Sequence, residues 1–147
     1  AGLPLTHREG RFLFVHGSPR DPVREYVLST DGFLNPEKLR AIFDSFDGIA
    51  VGGHTHHPGM HDESLAFQGL DGEETCTLEL PPEGKFFVNV GSVGQPRDGD
   101  NRACYAVLEE RAVTWHRVPY DYATTMKKIL ATNELSELLG RRLAIGK

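Results

Sequence analysis

Residues 49–56 read Ile-Ala-Val-Gly-Gly-His-Thr-His, so a short apolar run is followed at once by two glycines and two histidines. Such a run predicts a buried strand that ends at the glycines. Residues 11–15, Arg-Phe-Leu-Phe-Val, have the same character, and they also precede a histidine and a glycine, His16 and Gly17. The chain therefore contains two predicted strands, and each of them ends in histidine.

The segment between the two runs predicts a helix. Asn35 is a favourable N-cap, and Pro36 suits the first helical position. Apolar side chains then recur at i, i+3, i+4 and i+7 and form one stripe: Leu39, Ile42, Phe43 and Phe46. Strand, helix and strand make an α/β unit whose histidines lie at the carboxyl ends of the strands, where open α/β sheets place their sites.

The second half of the chain predicts short strands. Five candidates are separated mostly by turn signals and span residues 65–68, 75–80, 85–90, 103–108 and 113–118. Their close spacing favours an antiparallel meander. Residues 118–147 are predicted to form a helical tail, with Asp121 as the N-cap of one helix and a second helix over residues 134–143.

Composition excludes several classes of protein. The chain has 147 residues with 39% hydrophobic and 25% charged residues, which fits one domain or a large part of one. Its net charge of −5 argues against general nucleic-acid binding, which needs a basic surface. Its apolar runs are too short to span a membrane. Two distant cysteines, Cys76 and Cys104, fit a reduced, cytoplasmic protein.

Histidine clustering is the feature that a function must explain, because four of the seven histidines fall within residues 54–61. Two histidines at i and i+2 on an extended segment point to the same side, so His54 and His56 can reach one metal centre. His16 completes the candidate set from the neighbouring strand. We expect the nearest ring nitrogens of the three to lie within about 3–6 Å, since Zn–N bonds measure about 2.0–2.1 Å.

The other histidines have simpler interpretations. His57 and His61 are expected in loops, where His57 could line a substrate cleft. His7 and His116 are expected to be surface or structural residues. Two further families with His-x-His patterns fit poorly, because the Asp and His of metallo-β-lactamases and the Glu of cupins are missing at the required spacings.

Three motifs follow one another along the chain: Phe-Val-His-Gly-Ser-Pro at 14–19, Gly-Gly-His-Thr-His-His-Pro at 52–58 and Val-Asn-Val-Gly-Ser-Val-Gly-Gln-Pro-Arg-Asp-Gly-Asp at 88–100. Together they resemble the C-terminal half of the calcineurin-like metallophosphoesterases, and the small bacterial and archaeal branch most of all. The resemblance implies an α+β fold, the second half of a four-layer α/β/β/α sandwich, with residues 1–147 as a domain that lacks its N-terminal part. Val90 replaces the proline of the family's Asn-Pro-Gly-Ser motif.

The resemblance implies a metal-dependent hydrolase of phosphomonoesters or phosphodiesters with two divalent metal ions (Mn, Fe, Zn or Ni). By the same resemblance, His16 and His54 would bind one ion and His56 the other. The family's Asp-x-His, Gly-Asp-x-x-Asp and Gly-Asn-His motifs do not occur here. No catalytic residue is therefore assigned, and the chain by itself is expected to be inactive.

Arg97 is the second candidate for substrate binding, beside His57. Its guanidinium could bind a phosphate bidentately or form an ion pair with Asp98 or Asp100. The expected partner is a small phosphoester substrate, and neither a membrane nor a nucleic acid is expected. A second copy of the chain is also an expected partner, because apolar strand residues would otherwise face water: Phe12, Phe14, Ile49 and Val51. The alternatives are a non-catalytic scaffold or protein-binding module on the same fold and a domain that binds one metal through three histidines.

Overall fold

The computed structural model describes residues 2, 4–132 and 134–147, and within them the chain has a mixed α+β fold with two sheets and four α-helices. A short 3₁₀ turn, Arg142–Ile145, follows the last helix. The elements in chain order are β1 Thr6–Glu9, β2 Phe12–Val15, α1 Asp31–Leu34, α2 Pro36–Phe43, β3 Ile49–Gly52, β4 Gly59–Asp62, β5 Phe67–Gln68, β6 Thr75–Glu79, β7 Phe86–Asn89, β8 Ala103–Glu109, β9 Ala112–Val118, α3 Tyr122–Ala131 and α4 Glu137–Arg141.

Three parallel strands form the centre of the larger sheet, whose order is β1-β2-β3-β7-β4-β5. β2 and β7 flank β3 in parallel, and β1 and β4 add antiparallel strands outside them. Every residue of β3 is buried, as expected for a parallel strand with both faces covered. The carboxyl ends of β2, β3 and β7 therefore meet at one edge of the sheet.

Two apolar clusters cover the two faces of this sheet. One face packs against a three-stranded antiparallel sheet of order β6-β9-β8, through a core that includes Val51, Val88 and Trp115. The opposite face packs against α2 and the turn after it. All four residues of the predicted stripe are buried, although α2 ends at Phe43 and Phe46 lies beyond it. Helix α2, the larger sheet and the smaller sheet thus form successive layers.

The predicted antiparallel meander is right for β6, β8 and β9, which form the smaller sheet, and wrong for β5 and β7. β7 lies parallel to β3, and β5 pairs with β4, so both belong to the larger sheet. β7 carries a continuous apolar run, Phe86–Val88, with Phe87 and Val88 buried in the two different clusters. Turn signals locate the ends of such strands, but they do not choose the neighbouring strand, which burial on both faces decides here.

Local signals at the helix ends have mixed outcomes. Asp121 caps α3 as predicted, since its carboxylate accepts the backbone N–H of Thr124 at 3.0 Å. The side chain of Asn35 does not cap α2 but donates to Asp31 at 3.1 Å. The second tail helix is shorter than predicted, because the chain turns into a 3₁₀ turn after Arg141. None of the helices in the described residues is long and apolar enough to cross a membrane.

The expected exposure of strand residues is wrong for two of the four. Ile49 and Val51 are buried in the core between the sheets. Phe12 and Phe14 are partly buried against the same core. The cause is the smaller sheet, which covers this face from within the same chain.

Candidate functional site

His16 and His54 lie together at the carboxyl ends of adjacent parallel strands. Their ring centroids are 4.5 Å apart, and the rings meet edge to face at 61°. The backbone supports this approach, because the N–H of Gly53 donates to the carbonyl oxygen of His16 at 3.1 Å. The parallel pairing of β2 and β3 therefore brings together two of the three histidines that the sequence selects.

A stacked aromatic ring and a carbonyl group fix the orientation of His54. Tyr26 stacks on the imidazole with centroids 4.0 Å apart, and Nε2 of His54 is 3.2 Å from the carbonyl oxygen of Arg24. Only a protonated nitrogen can donate to a carbonyl, so this contact favours the Nε2–H tautomer and leaves the lone pair on Nδ1. Metal-binding histidines typically donate their second ring nitrogen in this way.

His56 has the opposite tautomer by the same reasoning. Its Nδ1 lies 2.7 Å from the carbonyl oxygen of Gln95, which leaves the lone pair on Nε2. Burial lowers the pKa of His56, and the Arg97 guanidinium lowers it further, although the Gln95 carbonyl acts in the other direction. The lowered pKa favours the neutral form of the ring, which a metal ligand requires.

The backbone of the histidine segment differs from the extended conformation that its sequence predicts. His54 and His56 both have φ of 60°, in the left-handed region. The N–H of Thr55 donates to the Gly53 carbonyl at 2.6 Å, so the segment is a tight turn. Non-glycine residues in this region cost about 1–3 kcal/mol each, and such strain is concentrated at functional sites.

The metal donors that the sequence places in this turn are the imidazoles of His54 and His56. Within the described ranges, no three His, Cys, Asp or Glu side chains are gathered closely enough to hold a metal ion. Asp62 and Glu63 lie at the other edge of the sheet, because Asp62 pairs with Phe86 at the start of β7. Asp62 accepts the N–H of Ser64 at 2.8 Å, and Glu63 accepts that of Lys85 at 3.0 Å. The histidines thus fit one part of a metal centre, and the ligand set of three histidines stays a prediction.

Arg97 does not form the ion pair that the sequence left open. Its Nη2 and Nε donate to Oε1 of Gln95 at 2.7 and 3.2 Å. Asp98 pairs instead with Arg117, and Asp100 pairs with Arg102 at 2.6 Å. The Arg97 guanidinium is therefore held by a neutral amide, and its charge is not offset by either of the two aspartates.

His57 lines a cleft of about 920 Å³ beside the histidine turn. Its ring meets Phe67 edge to face, with centroids 5.6 Å apart, and burial lowers its pKa. The carboxylates of Asp71, Asp98 and Asp100 also line the cleft. The position of His57 agrees with a cleft-lining residue, while its contact with a substrate stays a prediction.

His61 is a structural residue of β4 and not a loop residue. The side chain is buried beside Phe67, with ring centroids 4.9 Å apart, and Nε2 lies 3.0 Å from the carbonyl oxygen of Leu28. Burial lowers its pKa, while the Leu28 carbonyl opposes that shift. Of the four clustered histidines, this one belongs to the core.

Arg117 is a further residue of this region that no motif indicated, and it is only 2% exposed. Its guanidinium contacts the carboxylate of Asp98 and has Nε 3.7 Å from that of Asp100. The alternation of side chains along a strand could have indicated that Arg117 is buried, because Val113, Trp115 and Arg117 share one face of β9. This buried cation anchors the loop that carries Arg97 and lines the cleft.

Comparison with known proteins agrees with the fold and the motifs, although no protein-family model matches the chain. An uncharacterized protein of Methanocaldococcus jannaschii is 34% identical over 152 residues, which cover 99% of this chain and 57% of that protein. The structure of a hypothetical protein from Pyrococcus horikoshii superposes with a TM-score of 0.67 at 18% identity. The match covers 99% of this chain and 52% of that protein, and it supports the fold alone.

The crystal structure of a metallophosphoesterase from Sphaerobacter thermophilus superposes with a TM-score of 0.85 at 35% identity. The match covers 99% of this chain and 59% of that protein, so the chain spans little more than half the length of the relatives it matches. In fold and in sequence, the chain is therefore similar to about half of a metallophosphoesterase, consistent with the C-terminal half that its motifs resemble.

Proposed function

We propose that this chain supplies the histidine ligands of a metal-dependent phosphoester hydrolase. One observation carries the proposal: His16 and His54 meet with ring centroids 4.5 Å apart at the carboxyl ends of adjacent parallel strands. A scaffold has no physical need for converging imidazoles at this edge. The similarity to a metallophosphoesterase supports the same class of activity.

The tautomers define which atoms this chain offers. His54 presents Nδ1 and His56 presents Nε2, because backbone carbonyls occupy the other ring nitrogen of each. His16 supplies the third imidazole. Two divalent ions, when bound, would supply Lewis-acid polarisation of the phosphoryl group and a hydroxide at neutral pH. Imidazoles bring no negative charge, so the carboxylates that two close dications require are expected from another part of the polypeptide.

Arg97 is proposed to bind a phosphate oxygen of the substrate. Its guanidinium is oriented by a neutral amide, and its backbone N–H donates to the carbonyl oxygen of His56 at 3.1 Å, so the residue lies beside the histidine turn. Arg117 and Arg102 hold the carboxylates of Asp98 and Asp100, so these aspartates do not compete for Arg97. A planar guanidinium can then make two parallel hydrogen bonds to the phosphate.

A chimera tests this proposal. The matched segment of the Sphaerobacter thermophilus metallophosphoesterase is replaced by this chain, and hydrolysis of bis-p-nitrophenyl phosphate is measured with Mn²⁺ and with a chelator. We expect metal-dependent hydrolysis by the chimera, loss of it in His54→Ala and His56→Ala, and no loss in His7→Ala. His7 is the matched control because it is exposed on β1.

The 147-residue chain alone is expected to show no turnover. A chimera that folds, as judged by circular dichroism, but does not hydrolyse the ester while the Sphaerobacter protein does would contradict the proposal. That result would favour the alternative of a non-catalytic scaffold. Metal-dependent turnover by the chain alone would show that its own carboxylates complete a site.

A further inference from the structure

The side chain of Asn89 links three segments at the candidate site. It ends β7 and is 3% exposed. Its Nδ2 donates to the carbonyl oxygen of Gly53 and to Oγ1 of Thr55, each at 2.7 Å. Its Oδ1 accepts the backbone N–H of Gly91 at 3.0 Å. Both donors and the acceptor of this buried amide are therefore used.

We propose that Asn89 is a positioning residue that holds the turn of residues 53–56 in the conformation that presents His54 and His56. The two acceptors of its amide belong to Gly53 and Thr55, which flank His54 on both sides. His54 cannot leave its left-handed φ of 60° without moving one of these acceptors. A single side chain from another strand thus stabilises a conformation that the turn would not adopt by itself. The consequence for metal binding rests on the proposed function.

The chemistry of the position selects asparagine. A primary amide has two N–H donors and one acceptor in a plane, and all three are needed here. Aspartate has the same shape, but its ionised carboxylate would face the Gly53 carbonyl and the Thr55 hydroxyl without a hydrogen to donate to the carbonyl. The backbone N–H of Gly91 reaches Oδ1 of Asn89 because the chain turns back at Gly91. The φ of Gly91 is 81°, a value that glycine adopts readily.

The smaller sheet anchors Asn89 in turn. Nε1 of Trp115 donates to the backbone carbonyl of Asn89 at 2.9 Å, and the indole is fully buried. This hydrogen bond ties the end of β7 to the central strand of the second sheet. The residue that contacts the histidine turn is therefore fixed by both sheets, by its place in β7 and by its hydrogen bond to Trp115.

The test compares Asn89→Asp and Thr55→Val with two matched controls. Asn101→Asp changes an asparagine whose amide donates to a carbonyl elsewhere, that of Ala144 at 3.0 Å. Thr55→Ser keeps the hydroxyl that Asn89 contacts. Imidazole ¹H–¹⁵N correlation spectra of the metal-free 147-residue chain report the environments of His54 and His56, and calorimetric titration with Zn²⁺ reports the affinity.

We expect Asn89→Asp and Thr55→Val to shift the His54 and His56 resonances and to weaken Zn²⁺ binding at least tenfold. Thr55→Ser and Asn101→Asp should match the parent in both measurements. Fluorescence of Trp115, the single tryptophan, confirms that each variant is folded. Should Asn89→Asp fail to fold, Thr55→Val decides the question.

Unchanged imidazole resonances and unchanged Zn²⁺ affinity in folded Asn89→Asp and Thr55→Val would overturn the proposal. The two proposals fail separately. If the parent binds no Zn²⁺ but the resonances still move in these variants, the positioning role stands and the proposed metal site is wrong.

Discussion

Replacing Arg117 by leucine tests how the loop beside the site is held. The guanidinium is 1% exposed, and its partners Asp98 and Asp100 are 11% and 17% exposed in their side chains. Removing one partner of a buried ion pair costs about 3–5 kcal/mol, because the remaining charge stays buried without compensation. We expect Arg117→Leu to lose that much free energy of unfolding. Arg102→Leu is the matched control, since it removes a more exposed partner of the same Asp100.

The control variant, Arg102→Leu, should lose only about 1 kcal/mol of the free energy of unfolding, which is the upper end of the range for exposed ion pairs. Urea unfolding at pH 7, followed by the fluorescence of Trp115, measures both variants. Converting Asp98 and Asp100 to asparagine in the Arg117→Leu background should recover part of the loss, because no buried charge then remains. An Arg117→Leu variant no less stable than Arg102→Leu would refute the claim that the buried guanidinium anchors this loop.

Three further changes have expected outcomes. Burial lowers the pKa of His61 below its ordinary 6.5, so the unfolded chain binds more protons as the pH falls through 6.5. As the pH falls below 6.5, the free energy of unfolding of the parent should therefore decrease by up to about 1.4 kcal/mol per pH unit relative to His61→Gln, as measured by urea unfolding. Arg97→Lys should lower kcat/KM of the chimera about tenfold, since a charge-assisted hydrogen bond contributes roughly 1.5–3 kcal/mol. Gly91→Ala should lower the melting temperature, because a Cβ there would lie 2.9 Å from Cys104 at φ 81°, whereas Gly94→Ala has nothing within 4 Å and should be neutral.

Each of these expectations has a contradicting result. Parallel pH profiles for His61→Gln and the parent would show that the buried imidazole is not linked to folding in this range. An unchanged kcat/KM in Arg97→Lys would limit Arg97 to its contact with Gln95. Equal melting temperatures for Gly91→Ala and Gly94→Ala would mean that the turn after β7 tolerates a side chain.

Features with a local cause could be predicted from the sequence. The stripe of α2, the strands β2 and β3 and the Asp121 cap each depend on residues within a few positions of one another. The association of His16 with His54 also followed from local signals, because parallel strands that end in histidine place both residues at one edge. In these cases the sequence pattern and the tertiary structure agree.

The remaining features depend on distant partners. The run that forms β7 indicates a strand, but its position beside β3 follows from apolar packing on both faces of the larger sheet. The left-handed φ of His54 and His56 is held by Asn89, 34 positions from Thr55. Arg97 forms no ion pair with Asp98 because Arg117, from another strand, binds that carboxylate. None of these contacts leaves a signal in the neighbouring sequence.

Zinc binding by the histidine variants tests the central claim most directly. The 147-residue chain, freed of metal by a chelator, is titrated calorimetrically with Zn²⁺ in parallel with His16→Ala, His54→Ala, His56→Ala and His7→Ala. If the three site histidines are ligands, their variants should bind Zn²⁺ at least tenfold more weakly than the parent, and His7→Ala should bind as the parent does. Equal affinity in the parent and all four variants would contradict the assignment of this edge of the sheet as a metal site.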